Sequence, residues 1–141
     1  MKVKKEDKSI ELQVLGHEYP PGWGTGLPYE TDWLIAKLIM KEGEKEKVVE
    51  DNFLRFSDLN KAYENITRIL EGEQSNYRSN FMDKTFALAI DIIDDRDIFI
   101  EMKYSGEEET FSIKEEVTSE GFREFVNDLE DILVSNYRPS L

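Results

Sequence analysis

Alternation of apolar and polar side chains is the feature of this 141-residue sequence that most constrains its fold. Between residues 85 and 113 the alternation recurs in three segments, separated by polar turns at 94–97 and 105–108. Successive side chains of a strand point to opposite faces, so each segment predicts a strand with one buried face. Short polar connections favour antiparallel pairing of neighbouring strands. The pattern therefore predicts an antiparallel meander in this part of the chain.

The first half of the chain carries three more strand-like segments. Residues 9–15 alternate, residues 33–41 are apolar on nearly both faces, and residues 48–56 form a weaker third segment. Because both faces of 33–41 are apolar, we expect both to be covered. Residues 76–82 fit either a loop or a short edge strand.

Two segments show the 3–4 residue spacing of amphipathic helices. The first covers residues 58–71, with Ser57 as its expected N-cap and Gly72 as its stop. The second begins after an N-cap at Thr118 or Ser119. Both apolar stripes are continuous, so both helices should pack on the sheet.

These elements predict the α+β class in a single domain over residues 1–141. We expect a mainly antiparallel sheet of about six strands, in the order β-β-β-α-β-β-β-α, with two amphipathic helices packed on it. Residues 1–8 are expected to form a disordered N-terminal segment. The predicted core is Leu88, Ile90, Phe125 and Leu129.

Acidic residues are concentrated in one part of the chain. Residues 91–131 hold fifteen acidic and four basic residues, so they carry −11 of the net charge of −13. Such a surface repels nucleic acid and anionic lipid and attracts a basic protein, although it is also compatible with an ordinary solvated surface. The partner-binding candidates are Asp91, Asp94, Asp95, Asp97, Glu101, Glu107, Glu108 and Glu109.

A loop over residues 16–31 is the second candidate region. It contains three prolines, four glycines and three large aromatic residues, which excludes a regular element. Trp23 and Tyr29 are candidate interface anchors, because aromatic side chains dominate many binding hot spots. The alternative is that they fold back over the sheet.

Catalytic and cofactor motifs are missing from the sequence. There is no cysteine, and His17 is the one histidine, so no nucleophile–histidine arrangement can be built on a thiol. Residues 22–26 lack the spacing of a phosphate loop, and Asp94, Asp95 and Asp97 lack the glycine and glutamate of an EF-hand. We therefore predict no enzymatic activity, cofactor or metal. No apolar segment has the length of a signal or membrane helix, so we expect a cytoplasmic protein.

Four segments resemble one known family, the WapI-type immunity proteins, which are antidotes encoded beside WapA-type contact-dependent toxins. They are residues 10–20, Asp32-Trp33-Leu34, the helix start at 53–59, and the closing helix with Phe122, Leu129 and Leu133. The resemblance spans residues 9–134. This sequence has His17 where the family usually has tyrosine, and Asp32 where it usually has asparagine.

The resemblance implies an immunity protein that binds and neutralises the basic C-terminal nuclease domain of a cognate toxin, commonly a tRNA-cleaving one. It would act as a stoichiometric inhibitor, with no nucleic acid or membrane partner. The family motifs describe a scaffold, so they assign no contact residues. The alternative from the residues alone is a small-molecule-binding or enzymatic domain that uses loop 16–31 as a lid.

Overall fold

A computed structural model describes residues 1–19 and 32–138, which form eight strands and two helices. The elements are β1 (Lys2–Lys5), β2 (Lys8–His17), β3 (Trp33–Glu42), β4 (Lys45–Arg55), α1 (Phe56–Leu70), β5 (Asn76–Arg78), β6 (Phe86–Ile93), β7 (Asp97–Ser105), β8 (Thr110–Val117) and α2 (Ser119–Asn136).

The strands form two antiparallel sheets of four strands each, in the orders β1-β2-β3-β4 and β5-β6-β7-β8. Neighbours in sequence pair throughout, so each sheet is a meander. The sheets meet at the edges of β1 and β8, where the Lys4 N–H donates to the Glu115 carboxylate at 2.7 Å. The α+β class and the two helices are confirmed, but the prediction of one sheet with about six strands is wrong.

One hydrophobic core connects both sheets and both helices. The strand β7 contributes Ile98, Ile100 and Met102 at alternate positions, as the period of two requires. The predicted core group of Leu88, Ile90, Phe125 and Leu129 is buried within this cluster, which confirms that these residues share one core. Helix α2 packs mainly against α1 and also contacts β2 of the first sheet and β8 of the second.

The N-terminal segment differs from the expectation of disorder, because residues 2–5 form β1. Val3 lies opposite Ile10 and is 1% exposed, and the Met1 amino group donates to the Leu12 carbonyl at 3.2 Å. The sequence signal was weak because Val3 is the sole buried residue of a four-residue strand. Of the two alternatives for residues 76–82, the edge strand holds for Asn76–Arg78.

The strand β3 has one buried face, not the two expected. Leu34, Ala36, Leu38 and Met40 are buried, whereas the side chains on the opposite face are half-buried. In a two-sheet arrangement each sheet turns one face to the core. Strand neighbours and the aliphatic stem of Lys37 can cover part of the other face.

The helix termini follow the sequence rules at two of the four ends. Gly72 (φ +80°) ends α1: its N–H donates to Ile69, and the next N–H donates back to Arg68, as in a Schellman motif. Thr118 caps α2 by accepting from the Gly121 N–H at 3.0 Å.

The predicted N-cap at Ser57 is wrong, because α1 already begins at Phe56. The Asp32 carboxylate accepts instead, from the Ser57 N–H at 2.8 Å and the Ser57 hydroxyl at 2.5 Å. A side chain 25 positions away therefore satisfies the first turn.

Candidate functional site

The tip of the β6–β7 hairpin carries adjacent aspartates in an unusual backbone conformation. Asp94 (φ 55°) and Asp95 (φ 54°) are both left-handed, and the Arg96 N–H donates to the Ile93 carbonyl at 3.1 Å. Aspartate tolerates this region, but an Asn-Gly pair fits such a turn better. The turn geometry therefore does not require two neighbouring negative charges at this position.

The second predicted acidic turn, Glu107 to Glu109, lies at the opposite end of the sheet. The nine residues of β7 separate the two turns, which at the rise of a strand is about 26 Å. There Glu109 forms an ion pair with Lys47 of the first sheet, and the Lys47 ammonium lies 5.2 Å from the Tyr104 ring centroid. The two turns thus belong to different regions of the surface.

Asp91, one of the predicted partner-binding residues, is partly exposed on β6, and nearby cations compensate its charge. Its Oδ2 lies 2.9 Å from Arg78 Nη2 and 3.6 Å from Lys114 Nζ, and the side chain is 19% exposed. The hydrogen bond from Arg78, aided by both positive charges, holds the pKa of Asp91 below its usual range despite partial burial. The Lys114 ammonium also lies 5.3 Å from the Phe99 ring centroid. Glu101 is half-buried on β7.

Helix α2 carries an acidic stripe that the list of candidate residues omitted. Glu120, Glu124, Asp128 and Asp131 are exposed at spacings of four, four and three residues, so they share one face of the helix. Like charges at this spacing destabilise a helix, and acids near its C-terminus oppose the macrodipole. Stability does not account for this pattern. The spacing was readable in the sequence.

The acidic stripe begins at the same end of the second sheet as the hairpin tip. Val117, the last residue of β8, lies opposite Ile98, which adjoins Asp97. Asp97 Oδ1 lies 3.4 Å from Nε of the exposed Arg96. The other acidic residues of the hairpin tip and of the stripe form no ion pair with any Lys or Arg of residues 1–19 and 32–138. We name this region the hairpin–helix surface: Asp94, Asp95, Asp97, Glu120, Glu124, Asp128 and Asp131.

His17 ends β2 instead of lying in a loop, and its contact is distant in sequence. Its Nε2 lies 2.6 Å from the Asn136 carbonyl oxygen at the end of α2, so this nitrogen carries the proton and donates. Arg138 likewise donates to the Tyr19 carbonyl at 2.7 Å. These contacts fix the end of α2 to the first sheet. Trp23 and Tyr29 lie outside the described residues.

A polar cleft of about 920 Å³ lies between α1 and β5. At its α1 wall, the Asp58 carboxylate is 6% exposed and accepts from Arg55 at 3.0 and 2.9 Å and from the Met82 N–H at 3.0 Å. Burial acts to raise the pKa of Asp58, but these hydrogen bonds and the nearby positive charges outweigh burial, so the pKa is lowered. Burial and the Asp58 charge raise the pKa of Tyr77 to about 12.

The described part of the chain has neither a metal-binding cluster nor a membrane-spanning helix. No group of three or more histidine, aspartate or glutamate residues among residues 1–19 and 32–138 is arranged to hold a metal ion. Neither of the helices formed by these residues combines the length and the apolar character that a membrane span needs.

Comparison with protein families gives one match, which covers almost the whole chain. Residues 2–135 match the model of the immunity protein WapI-like family. The chain belongs to the WapI-like immunity protein family. Membership implies a protein that binds a cognate toxin and acts as a non-catalytic inhibitor.

Comparison with solved structures finds a fold similar to that of this WapI-like protein in WHY1. WHY1 from Arabidopsis thaliana is similar at 12% identity and a TM-score of 0.50, over 94% of this chain and 87% of that chain. WHY3 from the same plant has 9% identity and a TM-score of 0.47, over 94% and 85% of the two chains. At such identity the likeness to WHY1 concerns the fold alone. No curated protein sequence matches the chain.

Proposed function

We propose that this protein neutralises the C-terminal nuclease domain of the contact-dependent toxin encoded beside it, as a stoichiometric, non-catalytic inhibitor. We infer that the nuclease cleaves tRNA, and that inhibition takes place in the cytoplasm, where this substrate is found. The observation that carries the proposal is the hairpin–helix surface. Its carboxylates, apart from the half-buried Asp97, are exposed and have no cation partner among the described residues.

The charge pattern suits a nuclease as the partner. An enzyme that grips RNA neutralises phosphates with lysine and arginine, so the groove around its active site is basic. A row of carboxylates on a rigid helix can occupy such a groove as a polyanion does. The stripe on α2 has this form, and the Leu129 side of the helix is anchored in the core.

The contacts within this region are proposals of two kinds. Asp94, Asp95 and Asp97, with the α2 stripe, would supply the long-range attraction to the basic groove. Trp23 and Tyr29 are proposed as aromatic anchors, which would slow dissociation instead. We propose smaller roles for Asp91, which Arg78 and Lys114 compensate, and for the turn at 107–109, which lies at the far end of the sheet.

Co-expression with the toxin domain tests the proposal. The wild-type protein should co-purify with the domain in equal amounts, block its tRNA cleavage and protect cells. Neutralising the stripe (Glu120→Gln, Glu124→Gln, Asp128→Asn and Asp131→Asn) should weaken protection strongly. The control, Glu107→Gln with Glu108→Gln, removes charge at the other end of the sheet, where we propose a smaller role, and should weaken protection much less than the stripe variant.

Two results would contradict the proposal. If the wild-type protein neither binds nor inhibits the domain, the partner is wrong. If the stripe variant folds and protects as well as the control, the surface is wrong and the α2 carboxylates are an ordinary solvated face.

A further inference from the structure

The cleft between α1 and β5 has a charge opposite to that of the protein. Its lining from the described residues includes four cations and one acidic residue: Arg55, Lys61, Arg78 and Lys84 against Asp58. The whole chain carries −13, so a cleft with a cationic excess stands out from the surface around it. Its position differs from that of the hairpin–helix surface, because no residue of α2 or of the hairpin tip lines it.

The charge still free in the cleft belongs to its lysines. Arg55 is held by Asp58 through two hydrogen bonds, and Arg78 is held by Asp91 at 2.9 Å. Lys84 Nζ donates only to the neutral Asn80 side chain, at 2.9 Å, and Lys61 forms no ion pair with the described residues. Both guanidinium forks, the groups best matched to phosphate, are therefore already engaged. Two ammonium groups remain as point charges.

One wall of the cleft is the open edge of a sheet. Among residues 1–19 and 32–138, β5 pairs with β6 alone. The Ile92 N–H donates to the Ser75 carbonyl and the Ser79 N–H donates to the Leu88 carbonyl, so residues 75 and 79 direct their main-chain groups towards β6. In an antiparallel ladder the intervening residues, Asn76 and Arg78, turn their main-chain groups away from β6. The cleft lies on that side, since α1 residues line it and β6 residues do not.

The remaining lining fits a peptide main chain with its side chains. Gln74 Nε2 donates to the Asn76 carbonyl at 3.1 Å, so the main-chain groups of this edge that remain for a peptide are the N–H groups of residues 76 and 78 and the Arg78 carbonyl. Asn80 Oδ1 accepts from Lys84 Nζ, so the NH₂ group of Asn80 remains as a donor, whereas Asn65 is bonded to the Lys61 carbonyl and to Gln74. Met82, which is 61% exposed, adds an apolar contact beside them.

We propose that this cleft binds an extended, carboxylate-bearing peptide segment, which pairs along β5 as an added strand and places acidic side chains at Lys61 and Lys84. Strand addition to a sheet edge derives affinity from main-chain hydrogen bonds and specificity from alternate side chains. This inference rests on the proposed function, because it takes the segment to be part of the toxin. The basic groove of the toxin would contact the hairpin–helix surface while this segment enters the cleft.

A protein segment suits the charges better than a free polyanion. The overall field of −13 repels nucleic acid from every direction, and this repulsion is long-ranged. A short acidic segment of an otherwise basic protein is carried in by the attraction of its own domain. The cationic excess then acts only at contact distance.

A peptide titration followed by NMR tests the site without the toxin. The probe is the hexapeptide Thr-Glu-Thr-Glu-Thr-Glu, with Thr-Gln-Thr-Gln-Thr-Gln as its neutral match and inorganic pyrophosphate as the phosphate arm. The acidic peptide should shift the backbone amide signals of Asn76 and Arg78 saturably. Lys61→Gln with Lys84→Gln should weaken this binding about tenfold, since each exposed ion pair contributes modestly. The control, Lys41→Gln with Lys45→Gln, should change it less than about twofold.

The outcomes separate this inference from the proposed function. Any one of three results would overturn the cleft proposal. The amide signals of Asn76 and Arg78 do not shift, the two pairs of lysine substitutions weaken peptide binding equally, or pyrophosphate binds more tightly than the acidic peptide. With the toxin domain, the cleft variant should dissociate about tenfold faster at an unchanged association rate. If the toxin binds but this rate stays at the wild-type value, the cleft inference fails alone. If the toxin does not bind the wild-type protein, the proposed function fails and the peptide result decides the cleft.

Discussion

Replacing Asp58 by asparagine tests whether the charge of this buried carboxylate stabilises the fold, because the carboxylate accepts several hydrogen bonds. It accepts two hydrogen bonds from Arg55 and one from the Met82 N–H, which connects the start of α1 to the loop after β5. Asparagine keeps the shape and one acceptor oxygen, but turns an NH₂ group towards the guanidinium. The substitution therefore removes the charge and leaves the packing almost unchanged.

The expected loss in the free energy of unfolding at pH 7 is about 2–3 kcal/mol. Hydrogen bonds to charged groups contribute about 1.5–3 kcal/mol each, and breaking a fully buried pair costs about 3–5 kcal/mol. The Arg55 side chain is 26% exposed, so water can solvate part of the stranded guanidinium and the cost falls below that range. Asp128→Asn is the matched control on an exposed site, with an expected change within about 0.5 kcal/mol.

Urea unfolding of both variants and of the wild type, from pH 7 down to pH 3, measures the effect. The folded pKa of Asp58 is below its unfolded value, so its contribution is present above the unfolded value and is lost as pH falls through the folded pKa. The gap between wild type and Asp58→Asn should therefore narrow below about pH 4. A loss no larger than that of the control, or a gap constant across the acid range, would refute the reasoning.

Three further predictions concern single elements. Leu129→Ala, at a position that is 0% exposed, should cost about 2–5 kcal/mol in urea unfolding; a loss below about 0.5 kcal/mol would contradict the packing of α2. Asp94→Asn with Asp95→Gly should raise the free energy of unfolding by about 0.5–1 kcal/mol, because asparagine and glycine adopt the left-handed backbone of this turn more readily than aspartate does. A lower melting temperature would show instead that the two charges stabilise the turn. The pKa of Tyr77 is raised to about 12, so the contribution of Tyr77 to the free energy of unfolding is full below pH 10 and is lost as pH rises through the folded pKa. Tyr77→Phe should therefore remove this loss of stability at alkaline pH. A variant with the same alkaline pH profile as the wild type would contradict the prediction.

Local periodicity predicted much of the fold because each strand with a buried face records that face in its own sequence. The alternation between residues 85 and 113 predicted strands with one buried face, and β7 buries Ile98, Ile100 and Met102 on such a face. The 3–4 spacing in α2 placed Leu129 in the core. What periodicity does not record is which strands share a sheet. The division into two sheets depends on partners distant in sequence, and β1, with Val3 as its one buried residue, carries too little pattern to be detected.

The candidate site was harder to predict, because charge is compensated in space and not along the chain. Asp91 is paired by Arg78 from β5 and Lys114 from β8, and neither is near it in sequence. The cap on α1 is likewise supplied by Asp32 and not by its neighbour Ser57. The turns at 94–97 and 107–109 looked like one acidic face, yet the length of β7 keeps them apart.

The association rate with the toxin domain, measured by stopped-flow fluorescence over a range of salt concentrations, tests the central claim most directly. The wild-type rate should be high at low salt, towards about 10⁸–10⁹ M⁻¹s⁻¹, and fall steeply as salt is added. Neutralising Glu120, Glu124, Asp128 and Asp131 together should lower the rate and flatten its salt dependence, while Glu107→Gln with Glu108→Gln should leave both near wild type. A stripe variant with the wild-type rate and the wild-type salt dependence would contradict the account.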